Sequence, residues 1–136
     1  MEGSIIDLAR VRLERAEEML RSARVNFEQD ELKTSLNRSY YAILHAMRSI
    51  NCLDGFDSSK HSGVISFFHQ HTLKTKKMDP RFSEIIKTAS YRREKSDYDD
   101  FYIVSRDETK EQLNNAEEFV KAVKEYIEDV VTKGET

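Results

Sequence analysis

Four segments of this chain carry apolar residues at alternating steps of three and four. They predict an all-α fold, an antiparallel bundle of four main helices with one short helix added. Composition agrees: of 136 residues, 35% are charged and 38% hydrophobic, with one Pro and four Gly, the balance of a helical protein with charged outer faces. No stretch alternates apolar and polar residues with the period of two that a half-buried strand needs. The length suits a single domain with a core of its own, with order expected over about residues 5–130.

The first helix is expected from about Ser4 to Gln29, because Ile6, Ala9, Leu13, Ala16, Leu20, Ala23 and Phe27 form one stripe. Asp30 is expected to cap a second helix over about 31–53. That helix carries two stripes. Leu36, Tyr40, Ile43, Met47 and Ile50 make an apolar one; Arg38, Tyr41, His45, Arg48 and Cys52 make another at the same spacing. A helix apolar nearly all round belongs in the middle of a bundle. Asp54-Gly55 signals a turn, and Ser58 or Ser59 is expected to cap a short helix over about 59–71, followed by a polar, basic connection from Thr72 to Met78. Asp79-Pro80 is a helix start, with Phe82, Ile85, Ile86 and Ala89 carrying the helix to about Lys95. The acidic, aromatic run from Ser96 to Tyr102 reads as a loop. Ser105-Arg106-Asp107-Glu108 matches a capping box, so the last helix starts near Arg106, with Leu113, Ala116, Val120, Val123, Ile127 and Val130 as its stripe. Residues Lys133 to Thr136 are expected to fray.

Several functions lose ground on composition. With Cys52 alone, no internal disulfide and no Cys-based zinc site forms, and the four histidines lack metal-motif spacing, so no metal or cofactor is expected. The longest apolar run, Tyr40 to Leu44, is far short of a membrane span; no leader pattern precedes the first helix, and a cytoplasmic protein is expected. Net charge is −3 but uneven: residues 60–95 hold nine Lys/Arg against three Asp/Glu, and residues 96–136 hold five against twelve. A basic middle either attracts an anion such as a nucleotide or RNA, or pairs with the acidic last helix.

Arg38 and His45 stand seven residues apart, so they project from one face about 10 Å apart along the axis. A guanidinium and an imidazole there must be hydrogen-bonded, paired or open to a cleft, because burying them bare is costly. Arg92 and Arg93, followed by Asp97 and Tyr98, form a second candidate. An Arg fork grips phosphate and a Tyr offers a stacking face, although Asp97 equally suits a local ion pair. Tyr41 and His61 are further candidates for the same ligand, with a turn or capping role as the alternative for His61.

The run Asn37-Arg38-Ser39-Tyr40-Tyr41-Ala42-Ile43-Leu44-His45-Ala46 resembles the second helix of HEPN-domain proteins. Lys60-His61-Ser62-Gly63-Val64-Ile65 is similar to that family's segment between its second and third long helices, and Arg92 through Asp97-Tyr98 to its Arg-rich stretch ending in Asp-Tyr. The resemblance spans about residues 5–130, in order. It implies a small antiparallel helical bundle, often a homodimer, and in prokaryotes often encoded beside a minimal nucleotidyltransferase as a toxin–antitoxin pair. Many members are metal-independent ribonucleases that use an Arg followed a few residues later by a His, two such motifs meeting across a dimer.

This chain departs from that pattern, because Tyr98 follows Arg93 where a His is expected, and the Arg–His match falls instead on Arg38 and His45. The leading expectation is therefore a module binding nucleotide, RNA or a partner nucleotidyltransferase through Arg92, Arg93, Asp97, Tyr98, Tyr41 and His61. The alternatives are a ribonuclease toxin, with His45 as general acid/base and Arg38 stabilising charge on the phosphate, and a non-catalytic dimeric adaptor.

Overall fold

A computed structural model describes residues 3–134. Five helices follow one another: α1 (Gly3–Glu28), α2 (Leu32–Asn51), α3 (His61–Phe68), α4 (Phe82–Tyr98) and α5 (Arg106–Gly134). The described residues contain no strand. The doubly striped helix α2 is the hub and packs against each of the other four.

Small residues bring α1 and α2 close together. Ala9, Ala16 and Ala23 on α1 and Ala42 and Ala46 on α2 are all fully buried. At that separation the Ser35 hydroxyl donates across the seam to the Ala23 carbonyl at 2.7 Å. Helix α5 closes the other side. Its Gln112, 1% exposed, donates from Nε2 to the Leu36 carbonyl at 3.0 Å and to Ser39 Oγ at 2.8 Å on α2. An aromatic joint ties the short helix in: the Phe119 ring of α5 meets Phe68 of α3 and Phe82 of α4 edge-on, at centroid distances of 5.6 and 5.2 Å.

Several boundaries differ from the sequence expectation, each for a local reason. Asp30 does not cap α2. It sits in the left-handed region at φ 62° and ends α1, with its N–H bonded to the Phe27 carbonyl and the Glu31 N–H to the Asn26 carbonyl, the Schellman pattern. Its carboxylate pairs with Arg106 at 3.0 Å. The short helix begins at His61, two residues later than expected, while Ser58 Oγ accepts the Lys60 N–H just before it. Its end winds into a π turn over His69–Leu73, so Thr72 and Leu73 are buried rather than part of a polar connection.

Asp79 Oδ1 accepts the Arg81 N–H in a turn that precedes α4, so the helix proper starts at Phe82. Residues Ser96 to Tyr98, expected as loop, continue α4, with Arg93–Asp97 and Lys95–Asp99 ion pairs along its side at 3.2 and 3.9 Å. The capping box holds, as Ser105 Oγ accepts the Glu108 N–H at 3.1 Å. Helix α5 runs through Lys133 and Gly134, against the expected fraying there; the rest of that expectation, Glu135 and Thr136, lies outside the described residues.

Candidate functional site

Three helices bring their reactive side chains to one cleft. From α2 come Tyr40 and Tyr41, with their rings edge-on at 5.3 Å. His61, the first residue of α3, lies 5.7 Å from the Tyr40 ring and 5.5 Å from the Tyr41 ring. From α4 comes Arg93, whose guanidinium stands 5.2 Å from the Tyr40 ring centre and 5.9 Å from that of Tyr41, within cation–π range. Arg93 Nη1 also lies 3.3 Å from His61 Nδ1, and Arg93 Nε lies 3.2 Å from Asp97 Oδ2. The angle at that Nε is poor for a hydrogen bond, so the contact is an ion pair.

The cleft fixes the tautomer of His61. A guanidinium only donates, so His61 Nδ1 must be the bare acceptor nitrogen and the ring proton must sit on Nε2. The Tyr40 hydroxyl, 3.1 Å away, then donates to the same Nδ1. Close packing before α3 helps to place this ring. A Cβ added at Gly63 would come within 2.6 Å of Ser58 Oγ, the atom that accepts the Lys60 N–H.

His45 lies one turn further along α2, its ring 6.3 Å from Tyr41, and its buried Nδ1 has no hydrogen-bond partner. Burial, then the guanidiniums of Arg48, Arg15 and Arg12 and the His61 ring, hold its pKa below the usual 6.5. His61 is lowered too, by burial and then by Arg93 and Arg48. Asp57 gathers part of this charge, with its carboxylate paired to Arg12 at 3.0 Å and Arg48 at 3.1 Å.

These shifts predict acid sensitivity. Both imidazoles protonate less readily in the folded chain than in the unfolded one. Their contribution to stability is therefore complete above about pH 6.5 and is lost as pH falls through the folded values. The urea midpoint should drop between about pH 7 and about pH 5.5, a window above carboxylate titration. The double variant His45→Gln/His61→Gln should flatten that drop; an equally steep drop in the variant would place the titrating group elsewhere.

The sequence candidates separate into three groups. Arg93, Tyr41 and His61 meet in the cleft, with Asp97 at its edge. Arg38 donates to Asn37 Oδ1 at 2.6 Å and lines a side cleft with Lys33, Thr34, Ser96 and Asp97. Arg38 and His45 thus lie toward opposite ends of the site, with Tyr41 between them, rather than gripping one point. Tyr98 is exposed beside the cleft, near enough to act on the Arg93 charge.

Arg92 turns the other way. It is buried against α5, with Nη2 paired to Glu111 at 2.6 Å and Nε to Glu108 at 3.9 Å. Arg81 pairs with Glu118 on the same helix, so part of the basic middle does neutralise the acidic helix. Sequence reasoning passed over Tyr40 as a site residue, since it reads as one more core position in an apolar stripe. Only the placement of α3 and α4 reveals its hydroxyl as a partner of His61.

No helix among the described residues is long and apolar enough to cross a membrane. Among the same residues no group of three or more His, Cys, Asp and Glu side chains gathers as a metal site would require. The fold and cleft define a helical bundle that presents a guanidinium, an imidazole and two tyrosines from three different helices.

The chain belongs to the HEPN domain family, whose profile matches residues 9–126. Among its relatives, a "UPF0332 protein" of Thermotoga maritima is 28% identical over 116 residues, covering 85% of this chain and 88% of the relative. "Putative toxin MJ0142" of Methanocaldococcus jannaschii is 26% identical over 124 residues, covering 90% of this chain and 84% of the relative. "UPF0332 protein PH1297" of Pyrococcus horikoshii is 44% identical, over a shorter stretch of 55 residues that covers 40% of this chain and 39% of the relative.

Proposed function

We propose that this chain is a HEPN module of a toxin–antitoxin system, and that its cleft binds RNA or a nucleotide through a phosphate. One observation carries the reading: the half-buried Arg93 guanidinium, with Tyr40, Tyr41 and His61 packed around it, is balanced by the single partly exposed carboxylate of Asp97. A phosphate entering there exchanges that ion pair for a charge-assisted one, and the tyrosine faces suit a base or ribose. Two relatives carry the word toxin in their names, which supports the setting.

The test is titration of labelled single-stranded RNA, and separately of ATP, with purified protein in a metal chelator. Saturable binding that weakens steeply with salt is expected. No binding of either up to ~100 μM protein, the weak end of non-specific affinity for nucleic acid, would sink the reading.

Metal-independent RNA cleavage is the second reading. The observation that favours it is a pair of imidazoles, His45 and His61, with lowered pKa values close to arginines. One would take the proton of a ribose 2′-hydroxyl as it attacks the adjacent phosphate, and a protonated acid would return one to the departing 5′-oxygen. Cleavage abolished by His45→Ala selects the α2 pair. Cleavage that survives that change but not His61→Ala selects the cleft.

The same reading calls for a protein partner, a second copy of the chain first and a nucleotidyltransferase antitoxin next. At and just beyond the end of α4, Tyr98, Phe101 and Ile103 stand 74%, 93% and 86% exposed, which is apolar surface a partner would cover. A dimer mass by light scattering, falling to the monomer's in Phe101→Glu/Ile103→Glu, is the expected result.

A further inference from the structure

A second cavity, of about 670 Å³, runs between α3 with its π turn and α4, within the ~300–1,000 Å³ typical of ligand pockets. Its lining is mainly apolar surface, with a row of polar side chains along each wall. Ser62, Ser66 and Gln70 recur every fourth residue on one side; Ser83, Lys87 and Ser90 line the other. Ile65 and Ile86 supply the apolar surface, and Lys74 and Lys87 are the charged residues of the lining, with no carboxylate among them. Neither lysine pairs with a carboxylate among the described residues.

The cavity adjoins the cleft already described at Ser90 and Tyr40. Ser62 adjoins His61 in sequence, and the buried hydroxyl of Ser90 lies against that of Tyr40.

Local winding keeps the outer end cationic. The π turn, closed by the Lys74 N–H to the His69 carbonyl at 2.8 Å, puts His69, Gln70 and Lys74 on the cavity side together. Two residues after Lys74, Lys76 sits at φ 60°, a left-handed position that glycine adopts more readily than a side-chain-bearing residue. Of the exposed lysines in this stretch, Lys74 reaches the lining, and Lys76 and Lys77 follow it in sequence.

We propose that this groove seats the strand next to the phosphate held at Arg93, as a second site for single-stranded RNA. Lys74 and Lys87 pair with backbone phosphates, the hydroxyls of Ser62, Ser66 and Ser83 and the Gln70 amide meet ribose hydroxyls, and the isoleucines underlie a base. The inference rests on the RNA-binding reading above and adds where the rest of the strand runs. The shared wall at Ser90 and Tyr40 and the serines on both sides favour RNA over an acidic protein segment, which would need the charge but not the hydroxyls.

The experiment measures anisotropy of labelled RNAs of increasing length, with ATP as the short probe, on the full chain and two variants. Lys74→Glu/Lys87→Glu should weaken a long RNA at least tenfold, lower the salt slope by about 1.4 for two lost phosphate contacts, and leave ATP affinity unchanged. Ser66→Trp, which fills the exposed middle of the groove without changing charge, should also weaken long RNA and spare ATP.

Long RNA bound as tightly by both variants as by the unaltered chain overturns the groove while leaving the Arg93 reading intact. Loss in the charge variant alone shows long-range attraction rather than a seat, and overturns it too. Displacement of RNA by polyglutamate as readily as by unlabelled RNA would assign the groove to an acidic protein. Failure of the unaltered chain to bind any RNA or ATP removes both readings.

Discussion

Neighbouring arginines on α4 should behave in opposite ways when each is changed to glutamine. Arg93→Gln is expected to weaken RNA or nucleotide binding ~10- to 100-fold, from loss of a charge-assisted hydrogen bond worth ~1.5–3 kcal/mol. It should cost little stability. Its ion pair with Asp97 is a half-exposed i,i+4 pair worth ~0.3–0.5 kcal/mol, and its stacking on Tyr40 is partly solvated.

Arg92→Gln should do the reverse. Its side chain is 11% exposed and paired to Glu111, which is 60% exposed, so solvent screens the pair. The loss, about 1–2 kcal/mol, comes as much from the packed stem as from the charge, and binding should stay within a factor of two or so of the unaltered chain. Arg93→Lys should recover only part of the binding, because an ammonium lacks the planar fork. Urea melts and RNA titrations on the same preparations decide it. If both glutamine variants lose binding equally, the ligand does not use the α2–α3–α4 cleft.

That contrast shows how far the sequence carries. Both arginines sit in the basic stretch and both were candidate ligands, yet one residue of helical offset turns them ~100° apart. Which one meets α5 and which the cleft depends on how α4 is rotated, and Phe82 and Ile86 packed into the core set that rotation. The helices themselves were legible, because stripes such as Ala9-Leu13-Ala16-Leu20 report a buried face without reference to any partner.

Boundaries were less legible where a distant contact decides them. The end of α4 reads as an acidic loop until Asp97 is seen to pair back along the helix with Arg93. Asp30 reads as a cap until its left-handed backbone and its pair with Arg106, 76 residues away, are seen. The cleft was half legible. Tyr41 and His45 stand out as polar groups at core spacing on α2, whereas the contact of His61 with Arg93, 32 residues apart, leaves no mark in either local pattern. Gln112 was equally silent, a polar residue beside the apolar stripe of α5 that proves to be buried and bonded to α2.

The largest loss of stability should follow Phe119→Ala, at ~3–5 kcal/mol, the usual range for emptying a buried aromatic site. Phe119 is fully buried, and its ring makes both edge-on contacts of the aromatic joint, to Phe68 and to Phe82. Such pairs add ~0.5–1.5 kcal/mol beyond burial, and the variant forfeits two of them at once. Collapse should not recover the loss, because Phe68 belongs to an eight-residue helix and Phe82 to the first turn of α4, and each is held by its own helix rather than by a loop free to follow. Against a total of ~5–15 kcal/mol for a domain, the expected fall in Tm is ~10 °C or more. Phe119→Leu should cost markedly less, since it keeps most of the volume and loses mainly the ring contacts. The joint also holds α3 and α4 at the spacing on which His61, Arg93 and the groove between these helices depend. At temperatures where Phe119→Leu is still fully folded, its RNA affinity should therefore fall further than that of Leu13→Ala, a core truncation on the far helix α1. Equal affinities for the two variants would mean that the spacing of α3 and α4 is set by α2 alone.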